Sequence, residues 1–168
     1  DGYFKKITPQ SLRMSGEQKL KEGDEIILQT ETTNAKEILF FTDRHQVYKA
    51  KMNDFADTKA SVLGDYVASK LSMDEGENAV FAAVLNNGYE GYMLFVFENG
   101  KAAKVNLSSY ATKANRKKLI KAYCDKSPLV QILKLDEDKE LVIETTAGRY
   151  LLFDTALISP KAMKDTQG

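Results

Sequence analysis

The sequence predicts an all-β, propeller-like repeat protein, and three observations predict it. An apolar run, a short polar turn and a second apolar run recur three times, at offsets of 55 and 48 residues. Each of the three is preceded by an acidic or Pro/Gly turn and one further apolar run. The runs are rich in β-branched and aromatic residues, as strands are, and a period near 50 residues with about four strands per unit is that of a propeller blade.

In chain order, DGYFKKI (1–7) reads as the second half of a hairpin, with Lys6 in register with two later lysines. EGDEIIL (22–28) is predicted as an entry strand. ILFFTDRHQVYKAK (38–51) is the first full hairpin, and DFADTKASVLGDYVASKL (54–71) a variable linker. EGENAVFAAV (75–84) repeats the entry strand, and residues 93–105 form the second hairpin. SPLVQILKL (127–135) and residues 141–153 give the third pair. SYATKANRKKLIKAYC (109–124) has the spacing of a basic amphipathic helix. Its counterpart in the linker carries Gly64 and β-branched residues, so a loop followed by a strand is expected, with a short helical turn as the alternative. Pro9, Pro128 and Pro160 fall between runs, where no ladder loses a donor.

The turns read DRHQ, ENGK and TAGR, and His45 aligns with Gly100 and Gly148. Glycine suits a turn position with positive φ, and histidine tolerates it better than most residues. His45 is therefore a turn residue; no second His or Cys lies near it to make a metal site. The unit boundaries are about 1–22 (partial), 23–73, 74–126 and 127–168, forming a single repeat domain. About three units and a half are expected to be a piece of a larger ring, or an open arc.

The composition is 43% hydrophobic and 29% charged over 168 residues, enough for a real core. Twenty-four basic residues balance twenty-four acidic ones, so net charge implies no nucleic-acid partner and any contact needs a local patch. No apolar stretch is long enough to span a membrane. The lone Cys124 is expected to be a buried, inert thiol, and a single thiol fits a reducing cytoplasm. The acid-rich segments GEQKLKEGDE and SMDEGENA are expected to be solvated turns. There is no phosphate-binding Gly-rich loop and no ligand cluster.

One patch stands out. Residues 100–126 carry eight basic residues and one acid, a net charge of +7, densest at NRKK (115–118). Lys101, Lys104, Lys113, Arg116, Lys117, Lys118 and Lys121 are the candidate DNA contacts there. Such contacts give affinity without sequence choice. Lys6, Lys49 and Lys104 recur at one strand position, so they project in equivalent directions from successive repeats. They serve equally well as phosphate contacts or as strand-end charges that deter edge pairing. Arg13, Arg44, Lys51 and Arg149 complete the candidate set; Leu152 breaks the lysine series in the last unit.

These motifs resemble the C-terminal β-pinwheel domain of the A subunit of bacterial type IIA topoisomerases, DNA gyrase and topoisomerase IV. ILFFTDRHQVYKAK is similar to that family's blade, a Leu-Leu-Phe-Phe-Thr run, a turn with glycine and an aromatic-Lys run. DGYFKKITPQSL resembles its first-blade opening, EGDEIIL its acidic strand entry, and KAMKDTQG its crossover. The resemblance implies a non-catalytic domain that binds duplex DNA on its outer rim. It also implies a cytoplasmic, nucleoid-associated protein whose partners are DNA, an ATPase B-type subunit, and the rest of a dimeric A subunit. Magnesium and ATP would be used by other parts of the parent enzyme, and no cofactor by this part. Gyrase carries a Gln-Arg-Arg-Gly-Gly-Lys-Gly box where this chain reads SLRMSGEQKLKEGD (11–24), which favours a topoisomerase IV-like or divergent gyrase-like protein that bends DNA weakly. The alternative function is a propeller-like protein-interaction module with no nucleic-acid role.

Overall fold

The computed structural model describes residues 2–15, 17–113 and 116–168. The chain divides into two compact units, Asp1–Asn86 and Asn87–Gly168.

In the first unit, β1 (Tyr3–Phe4), β2 (Lys6–Ile7) and the short helix α1 (Pro9–Arg13) open the chain. β3 (Glu37–Thr42) and β4 (Val47–Lys51) form the predicted hairpin. They are followed by β5 (Asp57–Thr58), β6 (Asp65–Tyr66), α2 (Val67–Lys70) and β7 (Ala79–Val84). β4, β3 and β7 lie side by side in that order, all antiparallel. That placement explains the unbroken apolar run of β3: a central strand is covered on both faces, and Ile38 through Thr42 are all buried. Ile38, Phe40, Tyr48, Ala50, Met52, Phe55, Val67 and Val84 form the core. Phe4 closes it, its ring 4.6 Å from that of Phe55 and 5.7 Å from that of Phe40. The opening segment is fixed by β1 pairing with β6 and β2 pairing with β5.

In the second unit, β8 (Tyr92–Phe97) and β9 (Ala102–Asn106) form the second hairpin. β10 (Lys118–Leu119) follows, then β11 (Leu129–Leu135). β8 is the central strand of the sheet ordered β11-β8-β9, and Met93, Leu94, Phe95 and Phe97 are buried on it. β12 (Glu140–Glu144) and β13 (Tyr150–Asp154) form the third hairpin, which pairs with no further strand among the described residues. Its side chains are half-buried or exposed throughout.

The three hairpins share one turn. Thr42, Phe97 and Thr145 each donate an N–H to the residue four further on, Gln46, Lys101 and Arg149, at 2.8–2.9 Å. The third loop residue lies in the left-handed region in every case: His45 at φ 57°, Gly100 at 78° and Gly148 at 70°. This is a three-residue loop with a left-handed closing residue, and the alignment of His45 with two glycines is realised. A 3-10 turn follows each hairpin, at Met52–Asp54, Leu107–Tyr110 and Thr155–Leu157.

Three expectations are corrected. The strands at 79–84 and 129–135 do not join the hairpin that follows them. β7 pairs with β3 and β11 with β8, the hairpins that precede them. The divisions at 73/74 and 126/127 therefore separate each sheet from its third strand. EGDEIIL forms no strand, and Ile26, Ile27 and Leu28 are exposed. Residues 109–124 contain no α-helix among the described residues; a 3-10 turn, a loop and β10 occupy them, close to the loop-and-strand expectation.

Candidate nucleic-acid interface

The basic segment of the second unit is a loop held at both ends. The Leu107–Tyr110 turn buries Tyr110 completely. The Tyr110 hydroxyl donates to the carbonyl of Ala122 at 2.7 Å, and burial pushes its pKa well above the usual phenol range. Tyr123 stacks on Phe95 at 5.3 Å, and Cys124, next to it in sequence, is buried as expected. Between these anchors Lys113, Arg116, Lys117 and Lys121 are exposed, while Lys118 in β10 is half-buried. The Thr112 hydroxyl donates to the Arg116 carbonyl at 3.2 Å, which folds the loop on itself. Lys101 in the β8–β9 turn and Lys126 are also exposed. Asn115 of the NRKK motif lies outside the described residues. Clustered charges of one sign, hydrated at their tips, can approach phosphates from solvent at little desolvation cost.

The recurrent strand lysines have a different place. Lys104 is 2% exposed. Its Nζ donates to Asp138 Oδ1 at 2.5 Å and to the Thr155 carbonyl at 3.2 Å, and sits 4.4 Å from the Tyr92 ring centroid. Lys6 is half-buried; its Nζ donates to Asn34 Oδ1 at 2.9 Å and to the Met52 carbonyl at 3.2 Å, with Asp57 at 3.2 Å. Met52 and Thr155 both open the 3-10 turn that follows a hairpin. Each lysine thus reaches from one repeat to the same carbonyl of the next. Lys49 is half-buried, with Nζ 4.0 Å from Glu37. Lys6 and Lys104 thus make matching contacts and point at protein. Lys104 is corrected as a DNA contact: a buried, paired ammonium cannot reach a phosphate without breaking its pair.

The other candidates are scattered in the first unit and in the last hairpin. Arg13 is exposed, with Nε donating to the Pro9 carbonyl at 3.3 Å. The guanidinium of Arg44 donates to the Glu75 carbonyl at 2.7 Å. Lys51 is exposed at the end of β4, and Arg149 is exposed in the β12–β13 turn.

Sequence reasoning missed one polar site. Glu77, read as part of a solvated acidic turn, is 2% exposed. It accepts from the hydroxyls of Thr42 and Tyr48, the latter at 2.8 Å, and from the Asp74 N–H at 3.0 Å. With Asn78 on Asp43 and Gln46 on Asp74, it fastens the β3–β4 turn to the entry of β7. No cluster of three or more His, Cys, Asp or Glu that could hold a metal ion occurs among the described residues. No helix among them is long and apolar enough to cross a membrane.

No family model matches the sequence. The fold is the β-pinwheel found at the C-terminus of the A subunits of type IIA topoisomerases. It superposes on the C-terminal domain of DNA topoisomerase IV with a TM-score of 0.80 and 26% identity, over 97% of this chain and 52% of that one. The DNA gyrase A C-terminal domain shares the fold at a TM-score of 0.58 and 13% identity, over 100% of this chain and 51% of that one. More particularly, the chain is homologous to the C-terminal part of the topoisomerase IV A subunit. It is 25% identical to the A subunit of DNA topoisomerase 4 from Staphylococcus epidermidis over 169 residues, 97% of this chain and 21% of that protein. It is 23% identical to the Staphylococcus aureus counterpart over the same length. The chain therefore spans about a fifth of the curated relatives it matches and about half of the solved domains.

Proposed function

We propose that this chain is a non-catalytic duplex-DNA-binding part of the A subunit of a bacterial type II topoisomerase, one that holds or bends DNA beside a strand-passage core. The observation that carries the reading is the anchored loop of the second unit, which exposes Lys113, Arg116, Lys117 and Lys121 in a chain of zero formal net charge. Lys101 and Lys126 extend the same charge. The homology to the topoisomerase IV A subunit supports it. In this reading the contacts are to phosphate and are indifferent to sequence, as an enzyme acting on any duplex requires. The rest of the A subunit, a B-type ATPase subunit, and any chemistry of magnesium and ATP lie outside this part of the protein, and the parent works in the cytoplasm on the nucleoid.

The experiment is a titration of two unrelated duplexes of equal length across a salt series. Equal affinities and a linear fall of log K with log salt are expected. A chain that binds neither duplex even at low salt would contradict the proposal and favour a protein-interaction module.

A further inference from the structure

Lys121 has an unusual backbone for its residue type. Among the described residues, three other than glycine have positive φ: His45 at 57°, Ser72 at 51° and Lys121 at 52°. His45 closes a hairpin turn, and Ser72 follows the C-cap of α2. Both are customary places for a left-handed residue. Lys121 closes no hairpin and ends no helix; it lies in the basic loop, just past β10. The left-handed region is sterically costly for a residue with a Cβ, and glycine would occupy it freely. Such conformations persist where the surroundings enforce them, and they gather at functional sites.

Here the enforcing contacts are visible. Ala122, Tyr123 and Cys124, which follow Lys121 directly, are all buried. The Ala122 carbonyl accepts the Tyr110 hydroxyl at 2.7 Å, and the Tyr123 ring stacks on Phe95. The backbone leaving Lys121 is thus clamped, while Lys121 itself is exposed. Tyr110 is the fourth residue past β9, as Phe55 is past β4 and Ile158 past β13. Phe55 and Ile158 carry no hydroxyl. Residues 111–121, the segment that the Tyr110 clasp closes, hold five basic residues and no acid. Residues 56–66, which follow Phe55, hold one basic residue and two acids. The hydroxyl therefore stands in the repeat whose loop is basic.

We propose that Tyr110 is a positioning residue whose clasp on Ala122 presents Lys121 as a pre-organised phosphate contact for duplex DNA. This rests on the reading of the basic loop as a DNA contact. The fixed left-handed backbone sets the direction of the lysine stem before DNA arrives. Less freedom is then lost on binding, and affinity gains by that amount. Tyr110 is completely buried and touches no phosphate; it acts through the backbone that follows Lys121.

Duplex titration across a salt series tests this, with wild type, Tyr110→Phe, Lys121→Gly and the double variant of the 168-residue chain. Tyr110→Phe removes the hydroxyl and keeps the ring. It is expected to weaken binding about fivefold, near the cost of ordering one long side chain. Its salt slope is expected to stay at the wild-type value, because no phosphate contact is removed. Lys121→Gly is expected to flatten the slope by about 0.9, the share of one phosphate contact. Its Tm is expected to be no lower than that of the wild type, since glycine relieves the left-handed strain. The double variant is expected to bind as Lys121→Gly does, because the clasp acts through the residue already lost. With wild-type binding intact, any of three results overturns this inference alone. They are wild-type affinity in Tyr110→Phe, a wild-type slope or lowered Tm in Lys121→Gly, and strictly additive losses in the double variant. Should Tyr110→Phe unfold, Lys121→Gly decides by its slope and Tm. A wild type that binds no duplex overturns the proposed function and this inference together.

Discussion

The Nζ of Lys104 lies 2.5 Å from Oδ1 of Asp138, and the ammonium is buried while the carboxylate is partly open to solvent. The Lys104 hydrogen bond, and after it the Thr155 hydroxyl, hold the Asp138 pKa below the usual carboxylate range. A depressed carboxylate pKa contributes stability above the unfolded value, about 3.9, and that stability is lost as pH falls through the folded pKa. Unfolding of the wild type followed from neutral to acid pH is expected to show a loss below about pH 4 that Asp138→Asn lacks. Asp138→Ala is expected to lower Tm more than Lys104→Met. The first strands a buried charge, and the second replaces it with a chain of similar shape. Equal losses from the two would contradict the brace.

Glu77 is expected to be worth more as an acceptor than as a charge. Thr42→Val and Tyr48→Phe each remove one donor to a buried carboxylate, and each is expected to cost about 1.5–3 kcal/mol in urea unfolding. The pair should be non-additive, since both donors share one carboxylate. A strictly additive double variant would show that the two bonds act independently.

The turn and the crossing glycine should respond differently to alanine. Gly100 has φ 78° with no atom within 4 Å of the place a Cβ would take, so Gly100→Ala is expected to cost only the left-handed strain of about 1–2 kcal/mol. Gly64 has φ 91°, and a Cβ there would stand 2.4 Å from the Phe4 carbonyl oxygen. Gly64→Ala is therefore expected to destabilise more than Gly100→Ala by displacing β1 from β6. Thermal unfolding of the two variants measures the order, and a reversed order would contradict the close approach.

Much of this architecture was legible in the sequence, for physical reasons that vary by residue. β3 and β8 read as strands because their central places demand unbroken apolar runs, and the turns read correctly because only a residue tolerant of positive φ can close them. The partner of β7 was not legible. An apolar run does not record which edge it joins, and β7 flanks two hairpins in sequence. β5 and β6 were missed because a two-residue pairing leaves no periodicity, and residues 1–7, read as one hairpin strand, form the two short strands β1 and β2. The lysine series was found by register, but its burial was not. A lysine stem is long enough to carry its charge to a partner in the next repeat, and that partner, a backbone carbonyl, has no sequence signature. Exposure of Arg116 and Lys117 was the part of the candidate site that charge density alone could suggest.

Because the Arg-Arg-Gly-Gly core is absent from 11–24, this chain is expected to bend DNA weakly and not to constrain a full supercoil. Ligation of nicked circles in its presence, followed by topoisomer analysis, measures this. Little change in linking number is expected, and a clear shift at modest protein ratios would show that another segment wraps DNA.

The division of labour between exposed and buried basic residues is tested most directly by duplex binding of one triple variant beside one single variant across a salt series. Lys113, Arg116 and Lys117 changed to Glu are expected to weaken binding strongly and equally for unrelated duplexes. The slope of log K against log salt should flatten by about 2.7 for three lost phosphate contacts. Lys104→Met is expected to leave affinity and slope unchanged while lowering Tm. Wild-type affinity and slope in the triple variant, or a lost slope in Lys104→Met, would contradict the assignment of DNA contact to the anchored loop.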